Sequence, residues 1–160
     1  MKKLTEKWLK DNNACKEAVA QWGNEGCEPD LIKVLNRCVK LKKYDWGNWL
    51  IVRHMTYKQY VSYAVYAAEQ VIDIFETKYP DDKRPRQAIE TAKACIKNPS
   101  VKNKRAAWAA WAAAGAAAWA AARAAAGAAA GAAAWAAMKE KILKYGIKLL
   151  QKEKEDEKTN

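Results

Sequence analysis

The sequence predicts an all-α protein, a multi-helix bundle with a central amphipathic helix and a long, broken or kinked, alanine-rich C-terminal helical segment. Three observations carry this. Apolar residues recur at helical spacing over most of the 160 residues. Gly and Pro number only seven and four, too few for a sandwich or barrel rich in tight turns. No stretch alternates apolar and polar residues long enough to make a strand. The length fits one helical domain over residues 1–150, and the charged run at 151–160 reads as a solvated, frayed tail.

Taken in order, Leu4 to Lys10, Ala14 to Trp22, Pro29 to Leu41 and Tyr44 to Met55 read as short helices. Asp11-Asn12-Asn13, Gly23-Asn24-Glu25-Gly26 and Lys42-Lys43 separate them. Pro29 suits a first helical position, where its missing N–H costs nothing. The central helix is expected from Thr56 to Tyr79. At ~100° per residue, Tyr57, Val61, Ala64, Ala68, Val71, Ile72, Phe75 and Tyr79 share an arc of about 100°. Lys58, Ser62, Glu69, Asp73 and Glu76 fall outside it, so the three acids read as a solvated stripe. Tyr63 and Tyr66 also fall off the main apolar face and are expected at a second interface. Thr56 is the N-cap, and Pro80 ends the run. Pro85 to Lys97 places Ile89, Ala92 and Ile96 on one face, and Asn98-Pro99 stops it.

Residues 106–137 hold 24 Ala in 32, interrupted from Trp111 onward only at spacings of four residues or multiples of four. Alanine is the best helix former, and small residues let helices approach closely. An unbroken helix from Ser100 to Met138 would run ~58 Å, whereas a compact chain of this size is only about 40 Å across. A break near Gly115 or Gly127 to Gly131 is therefore expected, or packing against a second copy, making the chain a homo-oligomer through this Ala/Gly/Trp helix. A membrane span is disfavoured, because Arg123 in mid-block would cost about 3 kcal/mol to insert.

The formal net charge is +11. It points to an anionic partner, whether an acidic protein surface, a nucleotide or nucleic acid. With His54 the lone histidine, a Ser/His/Asp triad or a histidine metal site has little to build on. Cys15, Cys27, Cys38 and Cys95 contain no Cys-x-x-Cys pair and read as reduced, mostly buried thiols. No metal or cofactor is expected. The basic N-terminus is followed by no apolar run of signal-peptide length, which leads to the expectation of a cytoplasmic protein.

Three clusters are candidate binding sites. Lys83, Arg84 and Arg86 stand where a helix begins, the wrong end for cations unless an anion or a carboxylate from elsewhere docks there. Trp46, Trp49 and Arg53 lie at i, i+3 and i+7 on one helical face, where indoles and a guanidinium can stack a base or hold a cation. Arg105, with Lys102 and Lys104, precedes Trp108 and Trp111, the pattern that grips single-stranded nucleic acid or nucleotides. Trp119 shares the arc of those two indoles, and Arg123 is the block's one charge. No glycine-rich phosphate loop or nucleophile elbow is present.

Several pieces together resemble a known family. They are Ala14-Cys15 after a short helix, Asp45-Trp46-Gly47-Asn48-Trp49-Leu50 followed by Arg53, and Ala67-Ala68-Glu69 within the Tyr60 to Phe75 helix. The most specific is Tyr79-Pro80-Asp81-Asp82-Lys83-Arg84-Pro85-Arg86-Gln87-Ala88-Ile89-Glu90, followed by the alanine block. These features, over most of residues 4–140, are similar to the small, mostly helical immunity proteins of bacteria and phages. The resemblance implies a non-enzymatic, partner-binding role in toxin or phage-host conflict, and it carries over no catalytic residues. The chain departs from similar sequences in placing Trp where they tend to have His, Tyr or Asp in the alanine block. The expectation is thus a protein that sequesters an anionic partner or effector. The alternative is a nucleotide or nucleic-acid binder, such as a phage sponge for a signalling nucleotide.

Overall fold

The computed structural model describes residues 3–98, 100 and 129–159. Among these residues all regular structure is helical, as the sequence predicts: α1 (Glu6–Asp11), α2 (Lys16–Asn24), α3 (Leu31–Lys40), α4 (Tyr44–Val52), α5 (Tyr57–Glu69), α6 (Ile72–Lys78), α7 (Arg84–Lys97) and α8 (Ala129–Thr159). The helices fall into two compact units, Met1–His54 with Leu143–Asn160, and Met55–Ile142.

The first unit is a set of short helices joined by tight turns of one kind. Each of α1, α2 and α3 ends with a residue in the left-handed region, Asn13 (φ 59°), Gly26 (φ 88°) and Lys42 (φ 56°). At each end, two successive N–H groups fold back onto free carbonyls of the last turn. Asn13 donates to Lys10 and Ala14 to Leu9, Gly26 to Gly23 and Cys27 to Trp22, Lys42 to Val39 and Lys43 to Cys38. These turns reverse the chain within a few residues and gather Leu4, Leu9, Leu31, Leu35, Leu50 and Ile51 into a core. Helix α8 adds Leu143, Ile147 and Leu150 at helical spacing. Gly47 is where α4 meets α8: a Cβ there would lie 2.5 Å from Leu143 Cδ2. Pro29 is not a first helical residue. Asp30 caps α3 instead, its carboxylate accepting from the N–H groups of Ile32 (2.8 Å) and Lys33 (3.1 Å). The Pro29 carbonyl accepts from the Leu4 N–H.

In the second unit α5 packs on α7, and Val61, Val65, Ile72 and Ile89 form the core. Thr56 is the expected N-cap and forms a full capping box with Gln59. The single helix expected from Thr56 to Tyr79 is two. The last turn of α5 tightens as Gln70 N–H is shared by the carbonyls of Tyr66 and Ala67, and Val71 N–H bonds only three residues back to Ala68. Val71 then leaves helical geometry (φ −120°, ψ −9°) and α6 restarts at Ile72. No Gly or Pro marks the break. Tyr63, expected off the main apolar face at a second interface, is 4% exposed, and burial holds its phenol well above the usual range. Two residues advance ~200° around a helix, so burial of both Val61 and Tyr63 means that α5 is covered on opposite sides.

The break and self-association expected of the alanine block fall largely on residues outside the described ones, although Gly131 lies within α8. The charged run expected to fray continues α8 as far as Thr159. Among the described residues no helix is long and apolar enough to cross a membrane.

Candidate functional site

The local sequence of α4 explains the surface it builds. Tyr44, Gly47, Leu50 and Ile51 are buried, which turns Trp46 and Trp49 to the side, half-buried. Each indole carries a cation from its own neighbourhood. Lys43 Nζ lies 4.8 Å from the centre of the Trp46 ring, and the Arg53 guanidinium lies 4.0 Å from that of Trp49. Arg53 also donates from Nη1 to the Trp49 carbonyl (2.8 Å). A residue three or four positions away on a helix is a neighbour, so these pairs follow from spacing. A third pair stands on α8, with Lys139 Nζ 5.8 Å from the Trp135 ring.

Behind α4's indoles lies a cavity of about 290 Å³, within the first unit. Buried Leu4, Leu9 and Leu50 form its floor, and Trp22, Trp46 and Trp49 stand in its walls with Ala18, Val34 and Cys38. Asn13, Cys15 and Asp45 are the exposed lining residues and mark its mouth. Trp22 is held by an indole N–H bond to the Glu28 carbonyl (2.8 Å). Trp49 is held edge-on by Trp8 at 6.1 Å, and Trp8 in turn stacks on His54 at 4.5 Å. His54 Nε2 is buried with no hydrogen-bond partner among the described residues. Burial lowers its pKa, favouring the neutral ring.

The second cluster is organised differently. Arg84 forms a fork with Asp82, Nε to Oδ1 at 2.8 Å and Nη2 to Oδ2 at 2.7 Å, and its N–H also bonds Oδ1. Arg86 reaches back to α6, with Nε donating to Glu76 Oε1 (2.8 Å), and Nη2 donating to Glu76 Oε2 and to Asp73 Oδ1 (3.3 Å). Hydrogen bonds from Arg84 pull the Asp82 carboxyl down to about 2, and those from Arg86 lower Glu76. Lys83 donates to the Pro80 carbonyl (2.6 Å). The carboxylate that could dock against this basic helix start is therefore supplied from within. The acids read as a solvated stripe are also partners, Asp73 and Glu76 of Arg86 and Glu69 of Lys93, while Asp73 stays largely exposed.

Of the sequence-selected residues, Trp46, Trp49 and Arg53 are brought together, and Lys83, Arg84 and Arg86 form the separate cluster just described. Arg105, Trp108, Trp111, Trp119 and Arg123 lie outside the described residues. The cysteines are all unbridged, but the expectation of mostly buried thiols fails: Cys15 and Cys27 are exposed, Cys38 is half-buried and only Cys95 is buried. Burial pushes the Cys38 thiol up to about 11. The sequence reading missed Lys43, Trp22 and the cavity. The signal for Lys43 was present, three residues before Trp46. Trp22 gave no signal, because its wall forms only once α2 folds back towards α4.

Among the described residues no cluster of three or more metal-ligating side chains occurs. Fold and site define a small, basic, all-helical protein with cations mounted on a half-buried aromatic surface. The chain belongs to the family described as Imm-5 like putative immunity protein, whose model matches residues 51–160. Membership points to an immunity-type, non-enzymatic role. No curated protein and no solved structure matches the chain. The match takes in the Arg84 and Arg86 cluster. The cavity, lined by residues from Leu4 to Leu50, lies before it.

Proposed function

We propose that the chain is a stoichiometric, non-enzymatic immunity-type protein that neutralises an effector by covering an anionic surface on it, and that α4 makes the grip. One observation supports this above others: Lys43 and Arg53 are ordered over indoles, whereas Arg37, Arg84 and Arg86 are ordered by carboxylates. An indole face fixes a cation without cancelling its charge. An incoming carboxylate can then bond Lys43 or Arg53 without first displacing an internal ion, and loses little entropy in doing so. The Arg84 and Arg86 forks, by contrast, already face carboxylates, and we assign Arg86 to joining α7 to α6 and Arg84 to fixing the turn before α7 on Asp82. The overall charge of +11 would speed encounter with an acidic partner in a salt-dependent way.

The test is a titration of the whole chain, followed by tryptophan fluorescence, with an oligoglutamate peptide and an oligothymidylate of equal charge at low and high salt. The reading expects the peptide to change the fluorescence and to bind more weakly as salt rises. Tighter binding of the oligothymidylate would move the assignment to base stacking and phosphate contacts. Silence towards the peptide would end the proposal.

A further inference from the structure

We propose that the cavity behind α4 is an anchor pocket. It takes one bulky apolar side chain, of the phenylalanine or leucine kind, from an acidic segment of the partner protein. Lys43 and Arg53 bond the carboxylates flanking that anchor. This rests on the anion-gripping reading and gives it a specificity element.

The shape of the site supports an occupant of this size. At about 290 Å³ the cavity lies at the small end of ligand pockets, ~300–1,000 Å³, which suits a single large side chain. Its floor of buried leucines and its three indoles offer water few partners, with Asn13 and Asp45 confined to the mouth. Water there is poorly bonded, so an apolar group that displaces it gains. The indoles are also held in place before any partner arrives, Trp22 by the Glu28 carbonyl and Trp49 between Trp8 and Arg53. Pre-ordered aromatic walls around a desolvated pocket are where interface energy concentrates.

Charge decides what surrounds the anchor. Three indoles with one carboxylate could also be read as a cage for an organic cation. However, two of those indoles already carry a cation of this chain, Lys43 at 4.8 Å and Arg53 at 4.0 Å. A second positive charge would sit against both. Negative charge beside an apolar group is what Lys43 and Arg53, on two of the wall indoles, complement.

The experiment uses the full chain and three acetylated, amidated pentapeptides: Asp-Glu-Phe-Glu-Asp, Asp-Glu-Ala-Glu-Asp and Lys-Lys-Phe-Lys-Lys. Binding is read by tryptophan fluorescence, and occupancy by alkylation of Cys15 at the mouth against Cys27, an exposed thiol outside the lining. The acidic phenylalanine peptide is expected to bind about 30-fold tighter than its alanine counterpart and to slow alkylation of Cys15 but not of Cys27. Ala18→Phe, which fills the cavity from its wall, should erase the difference between the two acidic peptides. If that variant fails to fold, the Cys15 footprint on the wild-type chain decides alone. Equal binding of the two acidic peptides with Cys15 unprotected overturns the pocket and leaves the anion reading standing. Tightest binding of the basic peptide, or no binding of either acidic one, overturns both.

Discussion

The contact of Gly47 with Leu143 allows a quantitative test of how α4 is seated. A Cβ at Gly47 would fall 2.5 Å from Leu143 Cδ2, 3.3 Å from Cδ1 and 3.2 Å from Cys38 Cβ. Carbon atoms pack at ~3.5–4.0 Å, so Gly47→Ala forces a shift of about 1 Å on Leu143, which is 1% exposed. Such overpacking costs ~1–3 kcal/mol, offset by about 1 kcal/mol from replacing a mid-helix glycine with alanine. A net loss of about 1 kcal/mol is expected. Leu143→Ala alone opens a hole worth about 3 kcal/mol. In that background the overlap with both Cδ atoms is gone, so the same glycine change should stabilise by up to about 1 kcal/mol, making a coupling of about 2 kcal/mol. Urea melts of the four proteins, with midpoints converted at a common m-value, measure it. Additive effects within about 0.5 kcal/mol would show that α4 does not pack on α8 through this contact.

Lys42, left-handed at φ 56°, should gain about 0.5–1 kcal/mol on replacement by glycine; a lower urea midpoint for Lys42→Gly would contradict the turn geometry. Asp82 and Glu76 both titrate lower folded than unfolded, so their stabilisation is present above the unfolded carboxylate range, about pH 4, and is lost as pH falls below it, for Asp82 towards about 2. The urea midpoint of wild type should fall across that window, and Glu76→Gln with Asp82→Asn should flatten the fall; an unchanged slope in the double variant contradicts the pairing. Alkylation at neutral pH, read by peptide mass, should label Cys15 and Cys27 first, Cys38 slowly and Cys95 only on unfolding. Early labelling of Cys95 would contradict its burial.

Helices were legible where local rules act alone. The Thr56 cap, the stop at Pro80 and the apolar face through Val61 and Ile72 follow from side-chain chemistry within one or two turns of the chain. The break at Gln70 and Val71 does not, because no residue there forbids a helix and the shift to three-residue hydrogen bonding is made in the packed unit. Tyr63 was legible in part: a helix wheel sets it off the main apolar face, but how deeply that second side is covered depends on packing. At the site, Trp46, Trp49 and Arg53 could be grouped because they share one short helix. The pairing of Arg86 with Glu76, ten residues earlier in the chain, depends on how α6 meets α7. The cavity needed three successive left-handed turns, and only Gly26 advertises one; Asn13 does so weakly and Lys42 not at all.

The grip of α4 on an anion is tested most directly by its affinity for the oligoglutamate peptide in two double charge reversals of equal total charge. Lys43→Glu with Arg53→Glu removes the two cations mounted on the indoles of α4, whereas Lys58→Glu with Lys97→Glu changes two exposed lysines of the other unit. With both proteins helical by circular dichroism, the first pair should weaken binding about tenfold or more, and the second less than about threefold at physiological salt. Equal losses in the two would mean that net charge alone attracts the anion, contradicting a grip on α4.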